Sequence, residues 1–213
     1  MATKKQYFLS PIGTFNYPWL DKPSVWKDSA RDGKGGSVPA LPLDINARYS
    51  VNLNIVKKVF EASDFKKDID KVWKLAQEQY KGRYDETREP YSKDDDGNYV
   101  LKPSCRAAFM NKESGKVSPM APTLKDCDSR DITEFIKNED ISVASGSVGR
   151  VKVTTYVGEP SKSRQTGKMM LSMKLDLKMA QFKRLDRYEG RHNDEPIEDG
   201  VPVAEDYGES IPI

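Results

Sequence analysis

Three stretches of this chain alternate polar and apolar residues with a period of two, and nothing else in the sequence restricts the fold as much. In Ala47 to Ile55, Tyr49, Val51, Leu53 and Ile55 fall on one face, and Arg48, Ser50, Asn52 and Asn54 on the other. Successive side chains of an extended strand point to opposite sides, so this is a strand with one dry face and one wet face. Val148 to Val157 repeats the pattern, setting Val151, Val153, Thr155 and Val157 against Arg150, Lys152, Thr154 and Tyr156. The longest run, Lys168 to Leu185, directs Met169, Leu171, Met173, Leu175, Leu177 and Met179 inward and Lys168, Lys174 and Lys178 outward. Methionine on such a face fills an irregular core.

The remaining segments fit around these strands. Gln6 to Phe15 reads as a short strand. Asn16 to Pro42 reads as a long loop, because it holds Pro18, Pro23, Pro39, Pro42 and the cluster Gly33-Lys34-Gly35-Gly36. From Phe15 at its edge inward, Phe15, Tyr17, Trp19 and Trp26 interleave with Lys22, Lys27, Arg31 and Lys34. Val56, Val59, Phe60, Ile69, Val72, Trp73, Ala76 and Tyr80 recur at three- and four-residue steps, which predicts an amphipathic helix over 56–81. Ser63-Asp64 can interrupt and recap it, and Gly82 stops it. Trp73 shares the apolar stripe and belongs to the core.

Asp94-Asp95-Asp96-Gly97-Asn98 reads as a tight turn before a strand from Tyr99 to Phe109. That strand sets Leu101, Cys105, Ala107 and Phe109 against Lys102, Ser104 and Arg106, with Pro103 marking an edge or a bulge. A turn over Asn111 to Lys116, a short strand from Val117 to Leu124, a helical turn from Asp131 to Lys137 and a hairpin loop from Gly158 to Gly167 complete the reading. The expected fold is mainly β: a five-stranded Greek-key barrel of the oligonucleotide-binding (OB) type, with one long helix inserted after the second strand. Its domain covers 1–188, and a disordered acidic tail covers 189–213. Ligands of such barrels cross the second and third strands, between the loops joining strands one to two and four to five.

Charge divides along the same boundary. Residues 1–188 hold 34 Lys and Arg against 25 Asp and Glu, whereas 189–213 hold 1 against 8, so the net charge of +2 hides a body of +9 and a tail of −7. A cationic body tethered to an anionic extension suggests a polyanion-binding surface with a built-in competitor. No apolar run approaches the roughly 18 residues that cross a bilayer, and Met1-Ala2-Thr3-Lys4-Lys5 opens no secretory signal, so a cytoplasmic protein without membrane contact is expected. Cys105 and Cys127 are too few for a metal framework, and the single histidine, His192, falls in the tail. No phosphate-cradling loop, zinc-protease helix or nucleophile elbow is present in the sequence, and neither a cofactor nor a metal is expected.

Several segments carry a resemblance. Phe8-Leu9-Ser10-Pro11-Ile12-Gly13-Thr14 with Lys22-Pro23, the strand Arg48 to Leu53 before a long helix, Cys105-Arg106-Ala107-Ala108-Phe109, and Gly146-Ser147 leading into Arg150-Val151-Lys152-Val153 together resemble the single-stranded DNA-binding proteins of phage replication systems. The likeness covers most of residues 7–188 in order, plus the acidic tail. It implies an OB fold, sequence-independent binding of single-stranded DNA in replication, recombination and repair, and a tail that competes with DNA and contacts a polymerase, helicase or primase. Two features depart from the family. The tail ends in Ile211-Pro212-Ile213 where the family has an aromatic residue, and Gly158-Glu159-Pro160 stands where an aromatic is expected after the fourth strand, leaving Tyr156 as the nearest ring.

On this reading bases stack on Tyr156, Trp26 and Trp19, while Arg48, Lys102, Arg106, Arg150, Lys152, Lys162, Arg164 and Lys168 follow the phosphates. In the tail Glu205, Asp206 and Glu209, with Ile211 and Ile213, would engage a protein partner, alongside Glu195, Glu198 and Asp199 as mimics of the nucleic acid. Two rivals stand beside it: a metal-dependent nuclease using Asp94, Asp95 and Asp96 with Asp126 or Asp128, and a DNA-mimicking inhibitor of a host enzyme. The expected setting is the cytoplasm of a bacterial host, and the sequence leaves a homo-oligomer open.

Overall fold

In the computed structural model, residues 6–27 and 35–187 are described; the acidic tail lies outside them. In chain order the elements are β1 (Phe8–Leu9), β2 (Gly13–Lys27), β3 (Gly36–Pro39), β4 (Arg48–Ile55), α1 (Lys57–Glu61), α2 (Asp64–Gln79), β5 (Glu86–Arg88), β6 (Tyr91–Lys93) and β7 (Tyr99–Leu101). They continue with β8 (Ser104–Arg106), β9 (Ala108–Met110), β10 (Val117–Pro119), β11 (Thr123–Lys125), α3 (Thr133–Asn138), β12 (Val148–Val157), β13 (Ser161–Lys162) and β14 (Met169–Arg184).

Five of these strands close a ring. β2 pairs antiparallel with β4, β4 with β8, β14 with β12 and β12 with β2, and one parallel pairing joins β8 to β14. A sheet closed in this way leaves no open edge around the barrel. The single parallel seam gives it the strand order of an OB-like barrel.

Alternation along β4 sends Tyr49, Val51, Leu53 and Ile55 into the barrel, where they meet Phe15, Leu101, Val151, Val153, Leu177 and Phe182. Phe15 and Phe182 pack edge to face with ring centres 5.4 Å apart. The helical segment after β4 forms two helices. The Ser63 hydroxyl accepts from Lys66 N and caps α2, whose Phe65, Ile69, Trp73 and Ala76 join the same core. Phe60 of α1 stacks on Tyr99, centres 4.4 Å apart, and meets Tyr91 edge-on.

Several sequence expectations are overturned. The first is the loop over Asn16 to Pro42, since β2 runs to Lys27 and forms an arm with β3, Trp26 standing opposite Ser37. Its prolines are tolerated because the register against β4 slips between Asn16 and Trp19 and again between Trp19 and Ser24, and Tyr17 takes a φ of 48° at the first slip. The second is the inward side of β14. Lys152 faces Met179 and Val153 faces Leu177, so Lys178 is an extra residue on β14. Beyond this bulge the buried positions shift to Ala180 and Phe182, leaving Met179 half-buried, and Met169 is exposed at the strand's start.

The third is the single strand from Tyr99 to Phe109, which breaks at Lys102-Pro103, where Pro103 O accepts from Val51 N, and again after Arg106. Phe109 then lies exposed in the separate β9–β10 ribbon. The segment between α2 and the Asp94 turn, where the sequence shows no period, adds two further strands. Residues 86–88 form β5, parallel to β14, and 91–93 form β6 against β7. Asp94-Asp95-Asp96-Gly97-Asn98 makes the expected turn, its Asp94 carboxylate accepting from Asn98 N at 2.7 Å and Gly97 taking a φ of 78°.

Candidate nucleic-acid interface

The outer face of the barrel is assembled by register. Arg48 on β4 stands opposite Arg106 on β8, and Ser50 opposite Ser104. Ser104 faces Asp176 on β14, and two residues back along β14 Lys174 faces Tyr156 on β12. Side chains two apart on a strand share a face, so these residues line one continuous outward surface over β4, β8, β14 and β12. Above it opens a trough of about 770 Å³. Arg48, Arg88, Lys102 and Lys174 line it against one carboxylate, Glu89.

The trough has built walls. On one side β5 pairs with the start of β14, and Met169 N donates to the Asp85 carboxylate at 2.9 Å. Lys168 reaches Glu86 at 3.2 Å, and the same carboxylate accepts from the Thr166 hydroxyl at 2.9 Å. These contacts tie the β13–β14 hairpin to β5. Beneath the floor, burial and then the nearby Asp176 push the Cys105 thiol up to about 12, so it stays protonated and inert. Tyr91, in the wall, donates to Asp70 at 2.6 Å, and its hydroxyl is held well above the usual range by burial and by that carboxylate.

No family model and no curated protein matches the chain. Among solved structures it is similar to gp2.5, a single-stranded DNA-binding protein encoded by bacteriophage T7, with a TM-score of 0.61 and 21% identity over 94% of this chain and 100% of that one. It is also similar to the C-terminally truncated single-stranded DNA-binding protein of bacteriophage Enc34, with a TM-score of 0.50 and 14% identity over 83% and 84% of the two chains. The chain shares their fold.

On that fold the residues singled out from sequence divide into groups. Arg48 and Lys102 line the trough, Arg106 stands beside Arg48, and Tyr156 lies 64% exposed next to Lys174. Lys162, Arg164 and Lys168 sit on the β13–β14 hairpin, whose Ser161 borders the trough. Arg150 and Lys152 stand apart. They lie four to six residues from Tyr156, roughly 13–20 Å along an extended strand. Arg150 Nε donates to Gln181 at 2.9 Å, and the Lys152 ammonium sits 5.0 Å from the centre of the Tyr7 ring.

Trp19 and Trp26 line a different cavity, of about 680 Å³, with Tyr17, Asp21 and Lys22. Glu205, Asp206, Glu209, Ile211, Ile213 and His192 fall outside the described residues. Two cations of the trough escaped the sequence reading of the site. Lys174 carried a signal, being outward in the alternation, whereas Arg88 did not, because β5 has too few residues to show a period.

Of the five carboxylates considered for a metal, Asp94, Asp126 and Asp128 are engaged by other partners. Asp94 closes a turn, and Asp126 holds Arg130 through Nε at 2.5 Å and the backbone N at 2.8 Å. Among the described residues no three His, Cys, Asp or Glu side chains converge on a common point. None of the described helices is long and apolar enough to cross a membrane.

Proposed function

We propose that the chain binds single-stranded DNA without regard to sequence and holds it uncut. The observation that carries this is the gathering of Arg48, Arg106, Lys102 and Lys174 beside the exposed Tyr156 on one outer face of the barrel. The cations neutralise successive phosphates. Tyr156 offers a ring on which any base can stack, and stacking contributes about 1–3 kcal/mol per base. A duplex keeps its bases paired and stacked inside, so only an unpaired strand can use both parts of the surface at once. That the T7 and Enc34 proteins are described as single-stranded DNA-binding proteins supports the reading.

The setting we infer is phage DNA replication and recombination in the cytoplasm of a bacterial host. There the acidic residues of 189–213 compete with DNA for the cations, and Glu205, Asp206, Glu209, Ile211 and Ile213 engage a replication protein when DNA displaces them. Titration of oligothymidylate, followed by anisotropy with duplex of equal length as competitor, tests the core of the proposal. Four neutralised phosphates give a slope of log affinity on log salt near −2.8, so raising salt fourfold lowers affinity about fifty-fold. Equal binding of duplex, or a flat salt response, would overturn it.

A further inference from the structure

The second cavity has the opposite chemistry to the trough. Tyr17, Trp19 and Trp26 supply its rings, and residues 142–145 also line it. Asp21 lines it too, and this carboxylate is half-buried. One of its oxygens accepts from Val143 N at 3.4 Å, and the Ser142 side chain also bonds to it. The neighbouring cation is engaged elsewhere, since the Lys22 ammonium pairs with Asp140 at 2.7 Å. Burial raises the pKa of Asp21 above the ordinary carboxylate value. A half-buried carboxylate in a cavity that aromatic rings also line repels phosphate and favours a flat, uncharged ligand with N–H donors to give.

Position ties this cavity to the trough. Trp19 stands opposite Ser50, and Ser24 opposite Arg48, so the aromatic cavity lies one strand over from the Arg48 end of the cationic face. DNA that followed the cations past Arg48 and on across β2 would meet it.

We propose that this cavity is a guanine subsite, in which the aromatic walls sandwich the base and the Asp21 carboxylate accepts from guanine N1–H and N2–H. The proposal rests on the reading that the trough carries single-stranded DNA. Guanine is the one common base with two adjacent donors on its pairing edge. Adenine and cytosine set one amino group beside a ring nitrogen that is itself an acceptor, and thymine flanks its single N–H with two carbonyl oxygens, all of which a carboxylate repels. A bidentate, charge-assisted contact discriminates between bases by about 1–3 kcal/mol, so binding elsewhere stays sequence-tolerant while one position acquires a preference.

The test compares the full chain with Asp21→Asn and Trp26→Leu. The probes are oligothymidylate, the same oligomer carrying isolated guanines, and guanosine monophosphate followed by tryptophan quenching. The guanine-bearing oligomer should bind about tenfold tighter than oligothymidylate to the unaltered chain. Asp21→Asn should reduce that ratio to near one with oligothymidylate affinity unchanged, because an amide presents a donor where guanine needs an acceptor. Trp26 is 63% exposed, so Trp26→Leu should fold and lose the preference and the mononucleotide quenching together. Equal affinity for the two oligomers, or a preference that Asp21→Asn retains, would overturn the subsite. A chain that ignores oligothymidylate but is quenched by guanosine monophosphate would sink the DNA reading while keeping the pocket.

Discussion

Arg48 and Arg106 make a prediction with two opposite signs. They face each other on antiparallel strands, and Ala107 N donates to Ala47 O at 2.9 Å just outside the pair. That bond makes it the narrow, non-hydrogen-bonded kind of pair, with Cα atoms about 4.5 Å apart. Like charges held so close on an exposed face repel, at a cost of order 0.2–1 kcal/mol to the free protein. Arg106→Gln should therefore stabilise the unliganded chain and raise its melting temperature by about 1–3 °C. The same change removes one phosphate contact and flattens the salt slope by about 0.7, so DNA affinity should fall about eightfold at 50 mM salt but only about threefold at 200 mM. Calorimetry on the free protein and anisotropy titrations at the two salt concentrations read both effects. A lower melting temperature would show the guanidinium is structural, and an equal loss of affinity at both salts would remove it from the phosphate path.

Tyr156→Ala should weaken oligothymidylate binding by about 1–3 kcal/mol and leave the melting temperature within error, because the ring is exposed; thermal scans beside titrations check it. Deleting residues 189–213 should tighten DNA binding most at low salt, and unchanged affinity at two ionic strengths would refute the competitor role. At pH 8 a disulfide-exchange reagent should modify Cys127 alone, and both thiols only in denaturant, since Cys105 is buried. The raised thiol pKa of Cys105 also stabilises the fold below its ordinary value of 9.0, and that contribution is lost as pH rises from there towards about 12, which denaturant titrations across that range would detect.

Where sequence reading succeeded, the information was local. The alternation in β4 and in the first half of β12 depends on which residues lie two apart, and burial of Tyr49, Val51, Leu53, Val151 and Val153 follows it; past Val153 it reverses, and Thr154, expected outward, is buried in place of Thr155. Where it failed, a distant partner decided. Pro18 and Pro23 look like loop residues until β4 supplies a strand against which β2 can slip. Met179 looks inward until β12 skips Lys178. Arg150 and Tyr156 are equivalent in the alternation of β12, yet one is bonded to Gln181 and the other stands beside Lys174.

The sequence by itself determined that this chain builds half-wet strands, that its body is cationic and its tail anionic, and that Arg48, Lys102, Arg106 and Tyr156 point outward. Those properties follow from the two-residue period and from counting charges, and neither needs a partner strand. Only the tertiary structure decided which outward side chains share a surface, because closing the ring and choosing the register fix distances between residues far apart in the chain. The parallel seam between β8 and β14 brings Lys174 level with Lys102, and the slips in β2 turn its aromatic residues into the wall of a second cavity.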